Sequence, residues 1–221
     1  QVFEQKTVRK ITDTSYLYDF GQNASGIVRL KVKGKKGDRI RIIPAEILDD
    51  QGMVDQRATG SPYYFDYTLK GGSEEIWEPR FSYYGFRYAL VEGGVVELQM
   101  MHTRNSVPEI GTFSCSNNLF KQPFKLIDWA MKSNMSHVST DCPHREKLGW
   151  LEQTHLVGGS LKYNYDIQLF YNKIIDDMME SQLSSGLVPD IVPEYVVFDD
   201  GFRDSPEWGS AAVIIPWYLY Q

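Results

Sequence analysis

The chain has 221 residues, of which 42% are hydrophobic and 14% aromatic, and its formal net charge is −6. This composition is that of a globular protein, and it excludes a disordered tail, a collagen-like repeat and a bundle of membrane spans. The whole acidic excess falls in residues 111–221, because acidic and basic residues balance in residues 1–110. Since the acidic half offers no basic face, we expect no nucleic-acid partner.

The first half of the chain predicts short β-strands separated by glycine-containing turns. Residues 26–33 alternate apolar and basic side chains with a period of two, and residues 39–43 alternate again after a Gly-Lys-Lys-Gly-Asp turn. We expect these two stretches to form a hairpin whose outer face is basic. Further strands are predicted over residues 15–21, 62–69, 81–91 and 94–102. Many short strands of this kind favour an antiparallel sandwich.

The second half changes to a helical period. An apolar stripe of Phe120, Phe124, Ile127 and Met131 follows a helix N-cap at Ser116 or Asn117. Pro123 lies inside this stripe, and we expect it to shift the start of the helix or to kink it. A second apolar stripe runs from Ile167 to Leu183 and ends at Ser184-Ser185-Gly186, and a third helix, disturbed by Pro216, is predicted over residues 208–220.

Periodicity and charge both change near residues 104–111, so we divide the chain into a β domain, 1–108, and a helical domain, 109–221. No apolar run approaches the roughly 20 residues of a membrane helix, and the first residues lack the pattern of a signal peptide. The chain starts without methionine and ends on an uncapped aromatic stretch, so we expect a piece cut at both ends. The sequence does not identify a compartment.

The stretch from Asp141 to Gln153 carries the most chemistry, with three carboxylates, a histidine, an arginine and a tryptophan. Pro143 disfavours a helical Cys142, so this stretch begins as a loop. Its residues suit sugar chemistry: one carboxylic acid can protonate a leaving oxygen, other carboxylates can bind hydroxyls, and a tryptophan can support a sugar face. Arg145 could hold a carboxylate in place. An ordinary polar loop with incidental ion pairs has the same composition.

The run from Asp141 to Trp150, Asp-Cys-Pro-His-Arg-Glu-Lys-Leu-Gly-Trp, resembles the signature of the α-L-rhamnosidases of glycoside hydrolase family 78. Residues 19–29, 77–88, 188–190 and 208–213 resemble other stretches of that family, so the resemblance covers nearly the whole chain. It implies a jelly-roll-like antiparallel β-sandwich followed by an (α/α)6 barrel of the six-hairpin glycosidase type. Because twelve helices need far more than 110 residues, we expect only the first part of that barrel here.

The resemblance also implies an inverting hydrolase that removes terminal α-L-rhamnose from glycosides or polysaccharides. Glu146 matches the general acid of the family, Asp141 matches a residue that binds sugar hydroxyls, and Trp150 matches a tryptophan near the substrate. The substrate-binding residues that we carry over or infer from neighbouring positions are Asp141, Arg145, Trp150, Glu152, Gln153 and Trp208.

The sequence departs from the family pattern at two positions. Gln153 stands where an aspartate is usual, and Ser210 follows Trp208-Gly209 where an aspartate is common. These departures leave the sugar and linkage open, with Glu207 or Asp204 as acids that could compensate. The family's general base comes from a late barrel loop that has no match here, so we expect the 221 residues alone to be inactive.

Other functions for the same residues are less supported. Cys142 with His144 suggests a thiol nucleophile, and these two with Glu146 and His155 suggest zinc, but no motif for either chemistry is present. We expect no metal and no cofactor, and we expect free buried thiols at both cysteines. The remaining alternative is a carbohydrate-binding module with helical support and no catalysis. The expected partners are a rhamnose-containing oligosaccharide or glycoside and the remainder of the barrel.

Overall fold

The computed structural model describes residues 1–59, 62–198, 203 and 205–221. By their internal contacts the residues form two compact units. The β unit comprises Gln1–Arg104 together with Pro143–Arg145, and the helical unit comprises Asn105–Cys142 together with Glu146–Gln221.

The β unit is built on one antiparallel sheet. Its strands are β1 (Val2–Phe3), β2 (Thr7–Lys10), β3 (Ser15–Val32), β4 (Arg39–Ala45), β5 (Ile47–Leu48), β6 (Val54–Asp55), β7 (Phe65–Thr68), β8 (Glu75–Trp77), β9 (Tyr84–Glu92) and β10 (Glu97–His102), with a 3-10 turn at Arg57–Thr59. The main sheet has the order β1-β10-β3-β9-β4-β7, and β2 and β8 also pair with β3, whereas β5 and β6 form a separate pair.

The predicted strands 15–21 and 26–33 are one long strand, β3. Its register with β9 shifts between Asp19 and Ala24, and Gly21 there has φ +75°, a conformation that glycine adopts without strain. Such a bulge bends the strand and increases its twist, so β3 can pair with β2, β8, β9 and β10 along its length. β3 therefore pairs with four of the other strands of the main sheet.

The predicted hairpin between residues 26–33 and 39–43 is wrong, because β9 lies between β3 and β4 in the sheet. The alternation itself assigned the faces correctly: Val28, Leu30 and Ile42 are fully buried. Ala89 in β9 pairs with Tyr18 on one side and with Pro44 on the other. A period-two pattern shows which face of a strand is buried but not which strand lies alongside it. Here β9, which comes later in the sequence, pairs with both β3 and β4.

The helical unit contains α1 (Asn118–Asn134), α2 (Leu151–Leu156), α3 (Gly158–Asn164), α4 (Gln168–Ser181), α5 (Pro206–Gly209) and α6 (Ala211–Tyr220). The predicted cap of α1 is confirmed at Asn117, whose side chain accepts a hydrogen bond of 2.9 Å from the Leu119 N–H. Pro123 lies inside α1 without ending it. None of the described helices is both long and apolar enough to cross a membrane.

The core of the helical unit forms around α4. The second predicted stripe is confirmed at Ile167, Phe170, Ile174 and Met178, which are all buried together with Ile215 of α6. Its last member, Leu183, lies after the end of α4 and is half-buried. The first stripe differs, because within the described residues α1 buries Met131 but leaves Phe120 61% and Ile127 54% exposed. The amphipathic pattern thus identified the helix correctly and its buried face only in part.

Candidate active site

The loop between α1 and α2 carries the ten-residue motif and is anchored at both ends. At its start, Thr140 donates from its N–H to the Asn134 carbonyl and from its hydroxyl to Asn134 Oδ1, both at 2.9 Å. At its end, the Gly149 carbonyl accepts a hydrogen bond of 3.0 Å from the Val192 N–H. These bonds fix the loop to regular structure on one side and to segment 190–192 on the other.

Segment 190–192 is itself held by a buried carboxylate. Asp190 is 1% exposed, its Oδ1 accepts from the Ser205 N–H at 2.8 Å, and its carbonyl accepts from the Leu151 N–H at 2.9 Å. Trp150 forms an isolated antiparallel bridge with Ile191. The start of α2, and with it the Trp150 backbone, is therefore held by backbone pairing with a segment that the Asp190 side chain anchors in turn, and the motif alone does not reveal this arrangement.

Glu146 lies half-buried in the middle of the loop and is held through both its backbone and its side chain. Its N–H donates to Cys142 Sγ at 3.2 Å, and its Oε2 accepts a hydrogen bond of 3.2 Å from the indole N–H of Trp150. Both cysteines are free, as expected, but half-buried rather than buried. The carboxyl group is thereby directed toward the Trp150 ring.

The Trp150 ring that donates to this carboxyl group belongs to an aromatic cluster. The Trp150 ring stacks on Phe198 with centroids 5.7 Å apart, and it meets the edge of Trp208 at 6.1 Å. Trp208 Nε1 is buried and has no hydrogen-bond partner in the described part of the chain. The cluster therefore offers apolar ring surface and one N–H donor to a bound molecule. Phe198 is absent from the predicted site because it lies 48 residues after Trp150 in an irregular segment.

Asp141 and Gln153 both line a cavity of about 190 Å³ in the helical unit. Most of the other lining side chains are apolar, among them Met131, Met135 and Leu161. Gln153 Oε1 is buried and unpartnered among the described residues, so it can accept a hydrogen bond. Asp141 Oδ1 is already used, since it accepts from the Leu148 N–H at 2.9 Å.

The other predicted positions differ in their surroundings. Glu152 is half-buried in the first turn of α2, and Arg145 is exposed in segment 143–145, which belongs with the β unit. The hydroxyl of Ser210 donates to the Pro206 carbonyl at 2.8 Å, and Glu207 is exposed. Asp204 lies outside the described residues. Glu146, Trp150 and Trp208 are thus the predicted residues that the structure gathers through direct contacts.

His144 and Cys142 are occupied in ways that suit neither a thiol nucleophile nor zinc. His144 Nε2 lies 3.5 Å from Glu46 Oε2 within the β unit, while the sulfur of Cys142 accepts the Glu146 N–H. Among the described residues, no three histidine, cysteine or acidic side chains are grouped as metal ligands would be.

Lys147 turns the chain directly after Glu146. Its φ is +59°, a left-handed conformation that costs energy in a residue other than glycine and that is often kept at functional loops. The Tyr195 hydroxyl donates to its carbonyl. Burial lowers the pKa of the Lys147 ammonium group below its ordinary value. The strained residue is therefore braced from outside the motif.

A second aromatic surface lies in the β unit. It is an open groove of about 710 Å³ in which Tyr67 and Trp77 stack with centroids 5.2 Å apart. Glu78 and Arg80 contribute charge to the same groove. Stacked rings beside charged groups also suit a sugar, so this groove is the surface on which the non-catalytic alternative depends.

Comparison with known proteins identifies relatives of both halves. Residues 9–108 match the bacterial alpha-L-rhamnosidase concanavalin-like domain, and residues 108–221 match the bacterial alpha-L-rhamnosidase 6 hairpin glycosidase domain. The predicted architecture, an antiparallel β domain followed by a helical domain of the six-hairpin type, is confirmed by these matches and by the solved structures below.

Two curated relatives named alpha-L-rhamnosidase, from Formosa agariphila and Streptomyces avermitilis, are 34% and 33% identical and align with the whole chain. The chain spans 25% and 22% of their lengths. The structure of an alpha-L-rhamnosidase from Dictyoglumus thermophilum superposes with a TM-score of 0.94 at 31% identity, covering the whole chain and 26% of that structure. The Streptomyces avermitilis alpha-L-rhamnosidase complexed with L-rhamnose superposes with a TM-score of 0.92 at 30% identity, covering the whole chain and 22% of that structure.

Proposed function

The chain belongs to the bacterial α-L-rhamnosidase family, and from that premise we propose that its parent protein hydrolyses terminal α-L-rhamnosides with Glu146 as the general acid. The observation that carries this proposal is the hydrogen bond between the Trp150 indole and Glu146 Oε2, inside a cluster of aromatic rings. Glycoside cleavage needs a carboxylic acid beside the leaving oxygen, and sugars bind against aromatic faces. Both requirements meet at this one carboxyl group.

The proposed reaction inverts the configuration at the anomeric carbon. Glu146 donates its proton to the leaving oxygen while a second carboxylate, roughly 6.5–9.5 Å from it, removes a proton from the attacking water. We assign no residue of this chain to that second role, and the chain spans about a quarter of its curated relatives. The proposal therefore includes the expectation that the 221 residues alone do not turn over a rhamnoside.

The remaining site residues are proposed to hold the sugar. Trp150 and Trp208 supply the ring surface, and the unpartnered Trp208 N–H and Gln153 carbonyl oxygen can pair with sugar hydroxyls. Asp141, Arg145 and Glu152 are the charged candidates for further hydroxyl contacts. Since a hydroxyl both donates and accepts, a mixture of donors and acceptors of this kind suits a sugar better than an ion.

The test is a panel of nitrophenyl glycosides offered to the parent protein at its natural length. We expect the wild type to turn over the nitrophenyl α-L-rhamnoside. On a rhamnoside with an alkyl leaving group we expect Glu146→Gln to lose about 10³-fold in kcat, because glutamine keeps the shape but cannot donate an acidic proton. Glu180→Gln, an exposed change on α4, is the matched control and should retain activity. Near-normal turnover by Glu146→Gln, or no rhamnoside hydrolysis by the wild type, would contradict the proposal.

The second candidate is sugar binding by the β unit without catalysis, favoured by the groove that contains Tyr67 and Trp77. It predicts that Trp77→Ala abolishes binding of a rhamnose-containing oligosaccharide and that Glu146→Gln leaves the affinity for this oligosaccharide unchanged. Calorimetric titration of the two variants separates the candidates.

A further inference from the structure

We infer that Asp141 and Cys142 form a clasp that fixes the backbone of Glu146, so that both are positioning residues for proton donation. The clasp is defined here as the side chains of Asp141 and Cys142 together with the hydrogen bonds that they make inside the loop. The inference rests on the proposed role of Glu146 as the general acid.

Three hydrogen bonds close the loop on itself. The Asp141 N–H donates to the Leu148 carbonyl at 3.1 Å, and the Leu148 N–H returns a bond of 2.9 Å to Asp141 Oδ1. Between these ends, the Glu146 N–H donates to Cys142 Sγ at 3.2 Å. Asp141 thus joins the two ends of an eight-residue loop through its bonds to Leu148. Cys142 holds the backbone N–H of Glu146, the proposed acid.

The local sequence explains why side chains provide these bonds. The loop lies outside any helix or strand, so no regular ladder satisfies its backbone N–H groups, and side chains of the loop supply acceptors for two of them. The loop is also strained, because Lys147 is left-handed. Leu148 is 5% exposed, and an N–H left without a partner at such depth would cost about 1–3 kcal/mol. The clasp satisfies both groups while it holds the strained turn.

The clasp matters for one chemical step in particular. A proton donor must lie within hydrogen-bond reach of the leaving oxygen, and displacements of about 0.5 Å already matter at such sites. Loosening the peptide of Glu146 therefore impairs protonation of the leaving group. Cys142 is not among the residues proposed to bind the sugar ring, whereas Asp141 is, so only the Asp141 variants should also change KM. The expected signature is a loss in kcat that grows as the leaving group becomes a poorer one.

The experiment compares Cys142→Ala with Cys142→Ser in the full-length parent protein. We expect Cys142→Ala to lower kcat about tenfold for a rhamnoside with an alkyl leaving group, in proportion to one lost hydrogen bond, with KM and the kcat for a dinitrophenyl rhamnoside nearly unchanged. Cys142→Ser restores an acceptor and should recover most of that loss. Cys115→Ala is the matched control, because that thiol donates to the Asn117 carbonyl ahead of α1.

The same logic applies to Asp141. Asn keeps an oxygen that can accept the Leu148 N–H, so Asp141→Asn should retain the leaving-group dependence of the wild type even if KM rises. Asp141→Ala removes the acceptor and should behave like Cys142→Ala with a rise in KM added. Equal losses on good and poor leaving groups, or no loss in Cys142→Ala, would overturn the inference.

Hydrogen exchange tests the clasp independently of activity. The Glu146 amide should exchange about tenfold faster in Cys142→Ala than in the wild type and in Cys115→Ala, because its hydrogen bond is lost. Equal exchange rates in all three proteins would overturn the clasp. If the wild type hydrolyses no rhamnoside, the proposed function fails, and the exchange rates alone then decide whether the clasp exists.

Discussion

Gly149 gives the sharpest prediction about the loop that carries the proposed acid. A Cβ at this position would lie 2.3 Å from the Val192 carbonyl oxygen and 3.2 Å from Val138 Cγ2. Ordinary contacts of this kind exceed 3.4 Å, so the backbone of segment 190–192 would have to move by about 1 Å in Gly149→Ala, which is overpacking against a nearly incompressible neighbour. That movement would weaken two contacts of the same segment: the hydrogen bond from the Val192 N–H to the Gly149 carbonyl, and the bridge between Trp150 and Ile191.

The expected cost combines overpacking with the loss of one or two hydrogen bonds, about 2–4 kcal/mol in the free energy of unfolding of the helical unit. The assay is urea unfolding followed by tryptophan fluorescence, with kcat/KM measured on the same preparations, because Trp150 moves with residue 149. Gly159→Ala is the matched control: its Cβ meets nothing within 4 Å, and alanine favours a helix, so stability should stay equal or rise by about 0.5–1 kcal/mol. An unchanged unfolding midpoint and unchanged kcat/KM in Gly149→Ala would refute this steric argument.

Three further substitutions test other contacts. Asp19→Asn should destabilise the β unit by about 1 kcal/mol at pH 7, a figure reduced for the partial exposure of the ion pair with Arg87. Because Arg87 holds the pKa of Asp19 below its ordinary value, this stabilisation is present above the pKa of the unfolded carboxyl group and is lost as pH falls through the lower folded pKa. The urea midpoints of the wild type and Asp19→Asn should therefore differ less at pH 3 than at pH 7. Trp150→Phe keeps an aromatic ring but removes the N–H that donates to Glu146, so kcat should fall about tenfold with little change in the thermal unfolding midpoint. An unchanged kcat would show that this hydrogen bond does not contribute to catalysis. Tyr171→Phe removes a buried hydroxyl bonded to a backbone carbonyl at 2.8 Å and should cost about 1–2 kcal/mol in chemical unfolding, whereas no cost would mean that the carbonyl finds another donor.

Sequence periodicity predicted the fold class but not the strand neighbours. The alternation in residues 26–33 and 39–43 identified buried faces correctly, yet the two stretches are not paired with each other, because β9 lies between them in the sheet. Pairing is decided by long-range packing, and a local pattern contains no information about it. The bend at Gly21 is similarly invisible in a pattern that suggests two separate strands.

Local capping chemistry was more informative than the apolar stripe in α1. Asn117 caps the helix as predicted, because its side-chain oxygen satisfies an N–H of the first turn. The stripe at Phe120 and Ile127 indicates a helix equally well, but the depth to which these side chains are buried depends on what packs against them.

The candidate site divides in the same way. The motif brought Glu146 and Trp150 within one loop, where a short separation along the chain makes a contact predictable. Phe198 and Trp208 reach Trp150 from distant segments, and the bond from the Glu146 N–H to Cys142 lies in an irregular loop that turns left-handed at Lys147. Those contacts require the tertiary structure, whereas the chemical types of the central residues do not.

The central claim is that Glu146 is the proton donor, and its most direct test is the dependence of the Glu146→Gln rate on the leaving group. With a series of rhamnosides from alkyl to dinitrophenyl, we predict a loss of about 10³-fold in kcat for the poorest leaving group and only a small loss for the best, which departs without protonation. A loss of the same size across the whole series would contradict the assignment, because it would mean that Glu146 contributes to something other than protonation of the leaving oxygen.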